Sequence, residues 1–293
     1  MYTLKFENEN GNVITLSGKE DQYQIIGIEG LNPPNANVHR SEVAGMDGSK
    51  YISAKLEERN IVLTVRINGD VEKNRLNLYT YFKTKHWSKM YYSNGSRDVY
   101  IEGYVESVEC DLFSMSEQMQ VSIICTDPYF KSANEIITDI SKVIGNFVFP
   151  FAFGANGVEE GTITDDAIEF SMYLKDRIVN VVNEGEDGTG FIIEITARGE
   201  VVNPTIYNVI TREAFALKVT LEKDDVLTIN TVKGQKSVTL FHDTVSSNAI
   251  NKVVRNSTWL TLYKGDNLIT YDADVGNGDM KILFKHRTNY QAV

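Results

Sequence analysis

Arg59-Asn-Ile-Val-Leu-Thr-Val-Arg-Ile-Asn68 puts Ile61, Leu63, Val65 and Ile67 at every second position. Successive side chains of an extended chain point to opposite faces, so this stretch reads as a strand with one buried side. Outward from it, Val99, Ile101 and Val105, then Met119, Val121 and Ile123, repeat the habit. Gly103, inside that text, marks a bulge or a close approach of a neighbour. Upstream, Tyr2–Phe6 and Val13–Leu16 flank Asn8-Glu9-Asn10-Gly11-Asn12, where Asn10-Gly11 is a type I′ hairpin signal because both residues tolerate φ > 0. Downstream, Asp70 suits the N-cap of a helix over Val71–Lys85. Val71, Leu78 and Phe82 share its inner face, and Lys83 and Lys85 suit the negative end of its dipole. A single helix set among strands implies an α+β unit with the helix laid on a sheet.

Asp127-Pro128 ends this strand set. From Lys131 to Gly161 the text changes: Phe147-Val-Phe149-Pro-Phe151-Ala-Phe153 is aromatic and Gly154–Gly161 is loop-like. That aromatic run is too apolar for a free linker, which makes Phe147, Phe149, Phe151 and Phe153 an expected docking segment. Beyond it, short strands recur at Ile168–Leu174, Phe191–Ile195, Ala214–Val219, Val226–Asn230 and Ser237–Phe241, with Gly or Asp-Asp turns between them. That spacing is the mark of an antiparallel sandwich. The chain is therefore expected to be mainly β. Its expected parts are an α+β N-terminal domain over 1–131, a connecting segment over 132–161 and a β-sandwich domain over 162–293.

The 293 residues carry 29 Lys+Arg against 40 Asp+Glu, a net charge of −11. That sign opposes sequence-specific nucleic-acid binding, which is driven by basic groups displacing counterions, and it opposes adhesion to anionic lipid. No apolar run approaches the ~20 residues that span a bilayer, so membrane insertion is not expected. The first residues lack the basic start and apolar core of a signal peptide, and two cysteines, Cys110 and Cys125, do not make a disulfide framework. Synthesis in a cytosol, with both thiols reduced, is the expectation.

A search for catalytic chemistry finds little. The four histidines, His39, His86, His242 and His286, are far apart in sequence, and no H-E-x-x-H, C-x-x-C or G-x-S-x-G occurs. Gly185-Glu-Asp-Gly188-Thr-Gly190 echoes a phosphate loop but lacks the following Lys-Ser/Thr and carries two acids; a hairpin turn is the expectation. Asp272-Ala-Asp274-Val-Gly276-Asn277-Gly278-Asp279 departs from the EF-hand pattern at its central glycine and has Leu283 in place of the closing Glu. An acid-rich turn is expected there, with an irregular calcium site as the alternative. Adjacent acids such as Glu57/Glu58 and Asp224/Asp225 point to opposite faces in strand geometry and form no acid–base pair by themselves. Neither a cofactor nor a resident metal is expected. Trp259, Tyr263 and Tyr271 are candidates to stack on a sugar ring, against the plainer reading of core or interface packing.

Several stretches together resemble the distal tail proteins (Dit) of siphophages that infect Gram-positive bacteria. In the first half they are Gly27-Ile-Glu-Gly-Leu31-Asn-Pro33-Pro34, the Met46-Asp47-Gly48 turn, Glu58-Arg59-Asn60-Ile61, Ile67-Asn-Gly69-Asp70 and Ile101-Glu-Gly103-Tyr104-Val105-Glu106. They end in Ser122-Ile-Ile-Cys-Thr-Asp127-Pro128-Tyr129-Phe130. The second half adds Gly199-Glu200-Val-Val-Asn203-Pro204, Asp225-Val-Leu-Thr-Ile229 and Ser257-Thr-Trp259-Leu260-Thr-Leu262-Tyr-Lys-Gly265. The resemblance spans nearly the whole chain and is weakest over 132–185 and at the closing Tyr290-Gln291-Ala-Val.

The resemblance implies a structural hub and not an enzyme. An N-terminal β-barrel-like belt domain with one helix would close into a ring, usually hexameric, and a galectin-like sandwich would project outwards. Implied partners are other copies of the chain, the major tail tube protein, the tail-tip protein, and receptor-binding or baseplate proteins. The location implied is the virion tail tip, after assembly in the host bacterial cytoplasm. Heterologous ring closure predicts sheet edges that pair between copies, and the acidic balance suits a channel through which DNA slides. Two rival readings are a carbohydrate-binding host-recognition tail protein, using Trp259, Tyr263 and Tyr271, and a wall-cleaving enzyme, for which no facing carboxylates are legible.

Overall fold

The structure, a computed structural model, describes residues 2–19, 21–42, 44–45, 47–112, 117–140 and 178–293. The aromatic stretch Phe147–Phe153 and the expected strand Ile168–Leu174 lie outside the described residues.

The quoted strand is central. It runs over Arg59–Ile67 (β6) and pairs antiparallel with Gln118–Cys125 (β9) on one side and Tyr23–Glu29 (β3) on the other. Ile61, Leu63, Val65 and Ile67 all fall within 3% exposure, as the alternation predicts. The sheet continues through Asp98–Cys110 (β8), Trp87–Ser93 (β7), Thr3–Asn8 (β1) and Val13–Leu16 (β2), all in antiparallel pairs. Its end strands meet where the Ile25 N–H donates to the Ser17 carbonyl at 2.9 Å. Among the described residues the expected belt is therefore an open sheet curled on itself and joined by one bridge, without a full closing ladder. Gly103 is a close approach: a Cβ there would sit 2.6 Å from the Ile124 carbonyl oxygen. The register shift lies further on, between Val105 and Ser107.

The helix, Val71–Tyr81 (α1), starts as read, with the Lys73 N–H donating to the Asp70 side chain at 3.4 Å. It stops four residues short of expectation. Phe82 leaves helical geometry, buries its ring and packs edge-on against Phe6 at 5.2 Å, and Lys85 turns to φ 77°. Lys83 and Lys85 thus lie beyond the last turn, and core packing decides this end over dipole complementarity. The Asn8–Asn12 turn is also not type I′. Only Gly11 of the pair is left-handed, because the Asn8 side chain accepts from the Asn10 and Asn12 N–H groups at 3.1 and 3.0 Å and folds the loop around itself.

The second half is a two-sheet sandwich. One sheet orders Ile136–Asp139 (β11), Met280–His286 (β22), Phe191–Ala197 (β13), Val226–Asn230 (β18), Ser237–His242 (β19) and Val245–Asn248 (β20). The other orders Val179–Asn183 (β12), Gly265–Asp272 (β21), Thr205–Asn208 (β15) and Glu213–Ala216 (β16). Ile193, Leu227 and Phe284 from the first meet Val181, Ile206 and Ile269 from the second in one buried core. The stretch 184–190 is a crossing and not a hairpin turn, since Val179–Asn183 and Phe191–Ala197 belong to different sheets. Buried Asn183 steers it, donating to the Asp187 and Leu262 carbonyls at 2.9 and 3.0 Å.

Candidate assembly interface

Two further strands, Ala36–Glu42 (β4) and Ser49–Leu56 (β5), pair with each other and, among the described residues, with no other strand. Nearly every residue of this ribbon is exposed, including Val38 at 50%, Tyr51 at 63% and Ile52 at 60%. A lone two-stranded ribbon is marginal in water, and its outer edges carry unpaired N–H and C=O groups. Exposed large apolar side chains on such a ribbon mark a surface built to be covered. Its charges are nearly balanced, with Arg40, Lys50 and Lys55 against Glu42 and Asp47, so the chain's acidic excess lies elsewhere.

The ribbon is firmly rooted. Gly30, at φ 86°, lets the chain pass where a Cβ would come within 2.2 Å of the Asn60 carbonyl oxygen. Beside it, buried Arg59 spreads its fork over four carbonyls. Nε donates to Pro128 at 2.8 Å, Nη1 to Gly30 and to Asn32 (the latter at 2.6 Å), and Nη2 to Gln291 at 2.7 Å. The guanidinium lies 4.5 Å from the Phe130 ring centre. Burial pulls its pKa below the ordinary arginine value, but a guanidinium starts far above neutrality and stays charged. One cation therefore ties the ribbon root, the exit of the first strand set and the closing residues of the chain.

Those closing residues return to the first sheet. Phe130–Ser132 (β10) pairs with Asn289–Tyr290 (β23) and with β8. Arg287 donates to the Ser132 and Ala133 carbonyls at 3.0 and 2.5 Å. Arg97 covers the Tyr290 ring at 4.5 Å, donates to the Ala292 carbonyl and pairs with Glu186 at 2.6 Å. Glu186 also accepts from the Gln291 N–H at 2.8 Å, and this bond, with Arg97, holds its carboxyl below the usual range. The Tyr129 hydroxyl donates to Asp187 at 2.5 Å. The crossing read from sequence as a plain turn is thus a joint between the two halves.

The residues singled out for other chemistry scatter. Tyr271 is 4% exposed in the sandwich core, so it has no free ring face for a sugar. Trp259 is half-buried against Phe215, ring centres 4.9 Å apart, and Tyr263 stands exposed at 48%. The three do not share an exposed face. His39 is on the ribbon, His86 lies 2.7 Å from Glu9, and His242 lies 2.6 Å from Asp225, which raises the pKa of that ring. His286 is buried, which lowers its pKa. In the acid-rich turn, Asp272 and Asp274 accept from the amides of Asn277 and Asn203, each at 2.7 Å. Among the described residues no group of three metal-ligand side chains converges.

Arg59 was findable. It falls in the same phase as Ile61, Leu63, Val65 and Ile67, which places a charge on an apolar face. The partners of that charge, 27 to 232 residues distant, leave no sequence signal.

A phage tail protein RIFT-related domain matches residues 11–125, and a siphovirus-type tail component C-terminal domain matches residues 184–287. No curated relative matches the chain in sequence. Among solved structures, the Dit protein of phage SPP1, described as a paradigm of the hub adsorption apparatus in phages infecting Gram-positive bacteria, is similar with a TM-score of 0.68. Identity is 11%, over 99% of both chains. Chains from the baseplate of phage P2 in its activated conformation, with Ca and with Sr, are similar with TM-scores of 0.55 and 0.53 at 12% identity over 100% of both chains. At such identities the likeness speaks for the fold, while the two domain matches between them take in most of the chain. The chain belongs to the siphophage distal tail protein family, the structural components of the viral tail.

Proposed function

We propose that this chain closes into a hexameric ring at the end of the tail tube and serves there as a hub without enzymatic activity. The ring joins the tube protein on one face to the tail-tip protein on the other, and the sandwich carries receptor-binding or baseplate proteins outwards. Assembly takes place in the host bacterial cytoplasm. The observation supporting this reading is the β4–β5 ribbon, rooted by Arg59 yet uncovered along its length. A ring needs such a one-sided element, because each copy must offer a surface that differs from the one it receives.

Light scattering across a concentration series tests the proposal. The wild-type chain should give a mass of six copies that is stable to dilution. Tyr51→Ser combined with Ile52→Ser should give single chains with unchanged thermal unfolding, since both side chains are exposed. A wild-type chain that stays single at every concentration, with and without the tail-tube protein, would overturn the ring. So would a ring that survives the double substitution.

A further inference from the structure

A cavity of about 300 Å³ lies between the outer face of the first sheet and the 232–235 turn of the sandwich. Its floor is an aromatic pair: Trp87 and Tyr104 are cross-strand partners on β7 and β8, and Tyr104 is 54% exposed. Two acids line it, and both are already balanced. Glu102 pairs with Lys89 at 3.3 Å and Asp127 with Lys131 at 2.8 Å. Opposite them stand Lys233 and Gln235, whose side chains have no hydrogen-bond or ion-pair partner among the described residues. The position is fixed by the joint, since Tyr129, another lining residue, bonds Asp187 across the two halves.

We infer that this cleft binds a neutral, hydroxyl-bearing sugar ring. Flat aromatic faces suit the C–H face of a pyranose. The ion-paired carboxylates keep lone pairs free to accept from hydroxyls, while Lys233 and Gln235 donate to ring and hydroxyl oxygens. Because each acid already holds its own lysine, the cavity has no spare negative charge with which to select a cation. Ligand sites favour domain junctions and span roughly 300–1,000 Å³, so this one takes one or two rings and not a peptide. The inference is independent of ring assembly, and it places sugar recognition far from Trp259, Tyr263 and Tyr271.

The full-length protein should be titrated with glucose, galactose, N-acetylglucosamine and rhamnose, with adenosine as a flat aromatic control. Trp259→Phe leaves Trp87 as the sole tryptophan reporter, and saturation-transfer NMR gives a second readout. At least one sugar should quench saturably with a Kd on the order of 1 mM, the scale for a dozen heavy atoms held at modest efficiency. Tyr104→Ala should weaken that binding by about fivefold or more, and Gln235→Ala should weaken it as well. The exposed position of Tyr104 means that its variant keeps its fold, which the melting curve checks. Absence of saturable binding by all four sugars would overturn the inference, as would adenosine binding alone or sugar binding unaffected by Tyr104→Ala.

Discussion

Removing the Arg59 side chain tests whether one buried cation holds the ribbon root, the first sheet and the closing strand together. Arg59→Ala leaves the carbonyls of Gly30, Asn32, Pro128 and Gln291 without their donor and takes a stacked group off Phe130. A hydrogen bond to a charged group contributes about 1.5–3 kcal/mol. Four of them are offset by the several kcal/mol needed to desolvate the guanidinium. Water reaches part of the vacated site, and the net loss is about 3–5 kcal/mol. At about 2–4 °C per kcal/mol for a large domain, calorimetry should show the first transition falling by roughly 6–20 °C. Arg59→Lys should recover less than half of this, because an ammonium cannot span four carbonyls set around a planar fork. The closing strand should also loosen, seen as faster amide exchange at Asn289 and Tyr290. An alanine variant within about 1 kcal/mol of wild type, with exchange unchanged, would refute the reasoning.

Gly30→Ala should cost about 2–4 kcal/mol in urea unfolding, since it adds a Cβ 2.2 Å from a backbone oxygen at a left-handed position. Gly11→Ala, left-handed but in open space, should cost about 1 kcal/mol; equal losses would show that crowding at the ribbon root is unimportant. Glu186→Gln should destabilise by at most about 1 kcal/mol near pH 7, because both side chains of the pair with Arg97 are 35% exposed. The folded carboxyl titrates below its ordinary 4.5, so its stabilisation is present above that pH and lost as pH falls through the lowered value. Thermal scans at pH 7 and pH 3 should show the gap closing, and a gap that widens in acid would contradict the assignment. Burial raises the Cys125 thiol to about 12, so alkylation at pH 8 should leave it intact until the protein unfolds, as peptide mass mapping would show.

Much of the fold was legible because burial imposes a period. Ile61 through Ile67 announced the central strand, and Asp70 announced the helix start, since each signal is local. The helix end was not legible, because the burial of Phe82 beside Phe6, 76 positions away in sequence, overrides the pull of two lysines toward the last turn. The Asn8 loop escaped for the opposite reason: a side chain bonding its own backbone displaced the dipeptide preference of Asn10-Gly11. The crossing at 184–190 carries glycines like any hairpin, and only the sheet membership of its flanks separates the two. The interface was the least legible part. Tyr51 and Ile52 sit in text with no apolar alternation, because a ribbon exposed on both faces has no inside face of its own.

The return of the chain to its first sheet also sets a clock on biosynthesis. The fourth acceptor for Arg59 is 232 positions downstream. A bacterial ribosome adds about 5–20 residues per second, so the wait between them is on the order of ten seconds or more. Throughout that interval the nascent first domain holds a buried cation with three of its four carbonyl acceptors in place. Only a polypeptide translated through Gln291 completes the set of four acceptors around Arg59 and ties the closing strand to the ribbon root.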